Sequence, residues 1–347
     1  MNLSGDDMGT VSVLGMGFCC IDIIKEEQQT DYYVGGTAAN VMCGLAYLGA
    51  RTLLLVPHYN DIYASYLERS IAECGVHMIH TEAKRYAVPK VIEQLLVGGH
   101  TFKTTCPLCG ANLSQTVLPT ERDMENLEID AILENQNAVF YDRISSGIKH
   151  CIGSANDLHV WTYYEPNSGR RYDTFLKNAS LSSVVKFSSE SIPAAYVNRA
   201  MEDLSCKESN THILIVTDGN TGVRFSTKKN GRFREWIHVP GEQVTTPFDT
   251  AGAGDWFTAS FLNSFLQRFP AVQTSVDAET LFPMICHAQK IAALSCEYKG
   301  AQGMLFSEAA SRETGKLMGT EVKRRKRVKF SGDSTPICGC CGSALGT

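Results

Sequence analysis

Apolar positions along residues 11–24, VSVLGMGFCCIDII, form a β-branched run that predicts a strand interrupted at its glycines. VGGTAANVMCGLAYLGA (34–50) then predicts a loop feeding a small-residue helix. RTLLLVPH predicts a second strand and ASYLERSIAECG an amphipathic helix that stops at Gly75. The alternation resumes after residue 126: NLEIDAILENQ has a helical period, while AVFYDRIS, DLHVWTYYEP, SVVKFSS and THILIVTDG read as strands, the last the most continuously apolar. Strands spaced by helices of this length imply βαβ units. They predict an α/β fold with a doubly wound, mainly parallel sheet covered on both faces. Two regions break the rhythm. Residues 85–118 hold the extended segments AVPKVIEQLLVGG and HTFKTT, predicting a small antiparallel excursion. The tail from Ser307 carries KRRKRVKF and then TPICGCCGSALGT.

One helical stripe, Phe257, Phe261, Leu262 and Phe265, begins at the last residue of FDTAGAGDWF (248–257). If Thr250 to Gly254 open that helix, the N–H groups of Ala251, Gly252, Ala253 and Gly254 lie at its positive end, where small residues admit an anion. Asp255 then falls in the first turn. There it is either a helix-favouring charge or a base within reach of a hydroxyl near a phosphate. The string is not a P-loop, because no GK[ST] follows, and GMGFCC (15–20) is no dinucleotide fingerprint, because Cys20 holds the third glycine position.

Composition narrows the classes. A chain of 347 residues can bury a large core, and a net charge of −5 argues against a general nucleic-acid binder. No apolar run approaches the roughly 20 residues that span a bilayer. The N-terminus MNLSGDDMGT lacks a signal-peptide pattern, so a cytoplasmic location is expected. The basic run Lys323 to Arg327 reads as a solvated linker face. The aromatic run Trp161, Tyr163, Tyr164 reads as strand packing.

Several motifs together resemble the ribokinase-like, or PfkB, carbohydrate kinase family. DTAGAGDWF is similar to its C-terminal signature, VLGMGFCCIDII with VGGTAANVMCGLAYLGA to its first strand and GG-x-x-x-N segment, and TYYEPN to its DxN strand end. VVKFSSE resembles its Lys-x-Asn-x-x-Glu segment, IVTDGNTG its TxGxxG turn, and EYKGA the loop after its adenine-side helix. The resemblance spans about residues 11–305. It implies a kinase core over 11–306 with a small β lid near 25–36 and 85–118, followed by a basic linker and C-terminal extension over 307–347.

The chemistry that the resemblance implies is transfer of the ATP γ-phosphoryl group to an alcohol of a sugar, with Mg2+; a nucleoside kinase on the same fold is the alternative. By motif position, Asp255 is the base, and Gly252, Ala253 and Gly254 stabilise the transferring group. Asp22, Gly35, Gly36 and Asn40 hold substrate hydroxyls; Thr217, Gly219, Gly222 and Ala251 approach the nucleotide, as does the helix HAQKIAALSC. Asp249 and Thr250 match a monovalent-cation loop, for K+. The chain departs from the pattern at Ser188, which holds the asparagine position, at Glu190, one residue before the expected magnesium glutamate, where Ser191 stands, and at Glu165, which replaces the aspartate of DxN. A catalytically silent binding protein on the same fold is the reading those departures favour; Asp255 and its glycines oppose it.

Thirteen cysteines are many for a reducing compartment. Cys19, Cys20, Cys43, Cys74, Cys286 and Cys296 lie among apolar residues and read as core packing. CPLCG (106–110) and CGCCG (338–342) are different, because each is a CxxCG turn of the zinc-knuckle form. Cys106, Cys109, Cys338 and Cys341 make a four-thiolate set for a structural Zn2+, and Cys340 is a spare thiol. Unrelated cysteine turns are the alternative. The segment GANL follows the first knuckle, and a GAN segment belongs to the lid in the family, so such a metal joins tail to lid within one chain or across a homodimer.

Overall fold

The computed structural model describes residues 10–26, 29–81, 86–96, 99–106, 108–167, 171–205, 208–244, 247–273, 275–330 and 338. In chain order, β1 (Ser12–Met16) leads to β2 (Cys20–Glu26), β3 (Gln29–Gly35), α1 (Thr37–Tyr47), β4 (Arg51–Val56), α2 (Ala64–Glu73) and β5 (His77–His80). Then come β6 (Lys90–Leu96), β7 (Gly99–Lys103), α3 (Glu121–Asn126), α4 (Ile129–Leu133), β8 (Ala138–Tyr141), α5 (Ser146–Asp157), β9 (Trp161–Tyr164), α6 (Tyr172–Ala179) and β10 (Val184–Ser188). The remainder is α7 (Ala194–Asp203), β11 (Ile213–Thr217), β12 (Gly222–Lys229), β13 (Arg232–Phe233), β14 (Ile237–Pro240), α8 (Ala253–Arg268), α9 (Ala278–Ser295) and α10 (Glu308–Met318).

The main sheet has ten strands in the order β13-β12-β11-β10-β9-β8-β1-β4-β5, with β14 beside β12. From β11 through β5 every pairing is parallel, and β12, β13 and β14 add an antiparallel edge. This is the doubly wound α/β layout expected from the alternation of periods. Its strands are buried on both faces, which is why they read as near-continuous apolar runs. One core lies on the face covered by α1, α8 and α9, and another on the face covered by α5, α6 and α7. Trp161 and Tyr163 are fully buried in strand packing.

A second sheet of four strands runs β3-β2-β6-β7. It differs from the expected antiparallel excursion, because β2 and β6 pair in parallel, while β2–β3 and β6–β7 are antiparallel. It also starts earlier than residue 25. Gly17, at φ 142, ends β1, and the apolar run after it belongs to the other sheet, so a single hydrophobic stretch serves two layers. Periodicity cannot register that change of partner, since both halves carry the same apolar signal.

The tail is more engaged than a solvated linker. After α10 the chain runs without regular structure along the core, where the Arg325 guanidinium donates to Ala46 O at 2.7 Å and its own N–H to Leu305 O at 2.8 Å. Arg327 pairs with Asp31 of β3 at 3.2 Å. Phe330 stacks on Tyr63 with ring centroids 5.0 Å apart and also meets Tyr32 and Tyr66. Lys323, Arg324 and Lys326 remain exposed, so the run alternates between anchoring and solvated positions. No helix among the described residues is long and apolar enough to cross a membrane.

Candidate active site

Parallel pairing aligns the C-terminal ends of β1, β8, β9, β10 and β11 along one edge, and the order reverses at β1, whose neighbours are β4 and β8. Such a reversal opens a crevice beyond the strand ends. Gly17 sits there because no side chain fits: an added Cβ would lie 1.6 Å from Asp142 Oδ1. Asp142, just past β8, accepts from Phe18 N–H at 2.8 Å and from Arg143 at 2.7 Å. Burial pushes its carboxyl up to about 6 despite the Arg143 charge.

Asp255 lies in the first turn of α8, after Gly252 in the left-handed region at φ 79. Its Oδ2 accepts from Asn40 Nδ2 of α1 at 2.8 Å, and Asn40 Oδ1 accepts from Gln302 Nε2 at 3.1 Å. Glu165, at the end of β9, is clamped from two sides: Lys186 Nζ of β10 donates to one oxygen, and Thr258 Oγ1 of α8 donates to the other at 2.7 Å. Lys186 also reaches Gly254 O at 3.1 Å. Burial, then the Glu165 charge, push Asp255 up to about 7, while the Asn40 donor and the Lys186 ammonium pull the other way. A carboxyl that ionises near neutrality and is aimed by an amide is suited to accepting a proton from a hydroxyl.

The loop before α8 is smaller as an anion hole than the sequence implies. Ala251 N–H donates to Asp249 Oδ1 at 2.9 Å and Ala253 N–H to Thr250 O at 3.3 Å, which leaves the Gly252 and Gly254 N–H groups for an anion. A Cβ on Gly252 would come within 2.5 Å of Ala301 Cβ, and one on Gly254 within 3.2 Å of Lys186 Nζ. Gly252 is therefore required by close approach, whereas a side chain at Gly254 would press only on the tip of Lys186. Asp249 Oδ2 accepts from Gly300 N–H at 2.8 Å, so this carboxylate staples the loop to residues 300–302. Each oxygen accepts one N–H and keeps a further lone pair.

The Asp22 side chain of β2 lies against Gly35 of β3, where an added Cβ would fall 1.8 Å from its Oδ2. The Cys20 thiol donates to Asp22 at 3.3 Å, yet burial and the Asp249 charge push the carboxyl up to about 6. Glu93 of β6 joins the same group, raised to about 7 by burial, Asp249 and Asp22, with Lys299 acting in the opposite sense. Gly36, at φ 92, caps α1 and lies against Phe18 O. Asp22, Gly35, Gly36, Asn40, Asp249, Gly252 to Gly254 and Asp255 therefore gather around the junction of the two sheets.

The other expected residues are distributed differently. Thr217 ends β11 and Gly219 follows in open space at φ 58, on the same edge as Glu165. Gly222 is explained by packing, since a Cβ there would lie 2.1 Å from Val239 O of β14. Glu190 is exposed on the turn after β10, where its N–H bonds Ser188 Oγ at 3.2 Å. Lys186, Thr258, Gln302, Asp142 and Glu93 are not among those the sequence singles out. Lys186 and Asp142 carried a signal, as charged residues within or just beyond a buried strand; Thr258 and Gln302 carried none.

Away from this edge, Cys106, Cys109 and Cys338 converge, their sulfurs all within 4.8 Å of one another. Cys109 N–H and Leu108 N–H point to the Cys106 sulfur and lower its thiol to about 6, with the neighbouring thiols assisting. Cys341 lies outside the described residues, as does Cys340.

Residues 176–307 match the family described as pfkB family carbohydrate kinase. The chain is 25% identical over 241 residues to the deoxyribokinase of Salmonella typhi, covering 67% of this chain and 74% of that protein. A fructokinase double mutant from Vibrio cholerae O395, solved with fructose, ADP and potassium ion bound, is similar with TM-score 0.66 at 20% identity, over 90% of this chain and 99% of that one. The adenosine kinase from Sinorhizobium meliloti is similar with TM-score 0.66 at 17% identity, over 84% and 96%. At these identities the two structures establish likeness of fold.

Proposed function

We propose that this chain, whose residues 176–307 match the pfkB carbohydrate kinase family, moves the γ-phosphoryl group of ATP to an alcohol of a sugar or sugar-like small molecule, with Asp255 as base. The observation that carries this reading is Asp255 itself, raised to about 7, aimed by Asn40, and set one turn from the Gly252 and Gly254 N–H groups. In the reaction Asp255 accepts the hydroxyl proton as the oxygen attacks the γ-phosphorus. The two glycine N–H groups, with the positive end of α8, then stabilise charge on the transferring group.

The rest of the junction positions the alcohol. Asp22 orients substrate hydroxyls from β2, and the second hydrogen of the Asn40 amide adds a donor beside Asp255. Lys186 pairs with Glu165 and also reaches Gly254 O, so the pair anchors the start of α8 beside Asp255. The open space at Gly219 suits close approach of the nucleotide, with Thr217 beside it. For Mg2+, the exposed Glu190 carboxylate suits contact through water, and the ion when bound neutralises charge on the phosphates. For K+, the Asp249 carboxylate keeps lone pairs beyond the two N–H groups it accepts and would supply a ligand oxygen.

The similarity to a deoxyribokinase supports a sugar over a nucleoside. Phe102, 54% exposed on β7, leaves apolar surface on the four-stranded sheet for a homodimer contact. The test is a phosphotransfer screen of sugars and nucleosides with Mg·ATP, comparing the wild type with Asp255→Asn. Turnover of at least one sugar is expected, with kcat lowered by about 10³-fold or more in the variant and nucleotide binding retained. Undiminished turnover in the variant removes Asp255 as base, and turnover of nucleosides alone replaces the sugar reading.

A further inference from the structure

We propose that Cys106, Cys109 and Cys338 hold a structural Zn2+ that staples the turn after β7 to the C-terminal strap and so fixes the four-stranded sheet on the core. The geometry is that of a metal site. Zinc bound by four thiolates at about 2.3 Å in a tetrahedron sets neighbouring sulfurs about 3.8 Å apart. Cys109 Sγ and Cys338 Sγ are 3.7 Å apart, and the third sulfur lies within 4.8 Å of both. A disulfide needs about 2.05 Å and would strand the third thiol.

The protein around the sulfurs is built for the purpose. Gly110, at φ 71, allows the tight turn in which Gly110 N–H donates to Cys106 O at 2.9 Å and Cys106 N–H to Ala111 O at 2.8 Å. That turn aims the Cys109 and Leu108 N–H groups at the Cys106 sulfur, the arrangement that supports a metal-bound thiolate. Cys106 and Cys338 are 2% and 1% exposed, so the cluster is largely walled from solvent, with Cys109 at its open side. Cys109 and Cys338 stand 229 positions apart, so a shared ion would join distant parts of the chain. Three thiolates on one ion are the ligand set of structural rather than catalytic zinc sites.

The consequence follows from the path of the strap. Between α10 and residue 330 it is pinned to the core through Arg325, to β3 through Arg327, and to α2 and β3 through Phe330 among Tyr63, Tyr66 and Tyr32. A metal at its far end closes the loop onto β7, the opposite edge of the four-stranded sheet. Both edge strands are then held by one segment. Because β2 and β3 of that sheet carry Asp22 and Gly35, the staple sets the position of residues at the junction.

The experiment uses the full chain purified without chelator. Elemental analysis is expected to give about one Zn2+ per chain, falling severalfold in Cys338→Ser and Cys109→Ser and unchanged in Cys286→Ser, a half-buried thiol on α9. Since a buried cysteine variant can fail to fold, wild type reloaded with Co2+ provides a second reading, expected to show the thiolate charge-transfer and d–d bands of a tetrahedral thiolate-rich site. Stripping the wild type is further expected to speed tryptic cleavage within residues 323–327. An absence of bound metal with freely titrating thiols, a mass two hydrogens lighter from a disulfide, iron in place of zinc, or zinc retained by folded Cys338→Ser would each overturn the proposal. None of these outcomes bears on Asp255.

Discussion

Asp255 and Cys109 each sit beside a glycine that permits a tight bend, and each meets partners from distant parts of the chain, yet the two regions handle clustered negative charge in opposite ways. Around Asp255 the carboxyls hang on rigid elements: strand ends for Asp142 and Glu165, a strand for Asp22, a helix start for Asp255. The protein supplies one buried ammonium, Lys186, for Glu165 and lets the others hold their protons toward neutrality. The thiols hang on a turn and on the tail, and the groups that reach Cys106 are backbone N–H groups and other thiols. A site that manages its own charge can move a proton. One that gathers thiolates calls for an external cation.

The sharpest way to break that comparison is Lys186→Met. The ion pair with Glu165 is almost fully enclosed, with Lys186 at 2% and Glu165 at 12% side-chain exposure. Removing the cation leaves a buried carboxylate beside Asp255, expected to cost about 3–5 kcal/mol of stability in chemical denaturation. Pairing it with Glu165→Gln is expected to recover a large part of the loss. Zinc per folded chain is expected to stay the same, because the thiolate region is independent. No recovery in the double variant would mean that packing, rather than the stranded charge, sets the cost.

A smaller effect comes from Gln302, which touches Asn40 and acts on Asp255 only through it. In Gln302→Glu the new carboxylate cannot donate to Asn40 Oδ1, so the amide turns, placing its NH2 on the carboxylate and its oxygen on Asp255. That favours protonated Asp255. The midpoint of the kcat–pH profile is expected to rise by about one unit, worth ~1.4 kcal/mol. Gln302→Ala removes the constraint without imposing the turn and should move the midpoint less. An unmoved profile in both would show that Asn40 is aimed by something else.

The contrast also accounts for what was legible in the sequence. The parallel sheet, a helix opening at the GAGD string and the first-turn place of Asp255 follow from local pattern, and the structure has them all, with α8 starting at Ala253 inside that string. The division of VSVLGMGFCCIDII between two sheets was hidden, because pairing is a long-range property. The same holds for Gln302 and Thr258, polar residues whose roles depend on which loop lies across from them. Roles for Asp22 and Asn40 were legible only through family resemblance; what the structure adds is that Asn40 already serves Asp255. The two CxxCG turns were conspicuous as a pair, and three of their cysteines meet. For KRRKR, charge alone suggested solvent. Arg325 and Arg327 instead find acceptors that only the fold provides.

The smallest expected effect concerns pH. Asp22 and Asp142 are raised to about 6, Asp255 and Glu93 to about 7, all above the ordinary carboxylate values. Between the ordinary and raised values the folded chain binds more protons than the unfolded chain, so stability falls as pH rises through that interval and levels off above the raised values. The thiolate region has the opposite sign, because metal binding needs deprotonated sulfur and weakens as pH falls. Measured in metal-stripped protein without nucleotide, Tm is therefore expected to be higher at pH 5 than at pH 7.5. Asp255→Asn should shrink that difference by removing one contributor. With zinc bound, the acid advantage should narrow. A Tm that climbs from pH 5 to 7.5 in the stripped protein would mean that the buried carboxyls ionise without penalty, and that the two regions do not differ in how they carry charge.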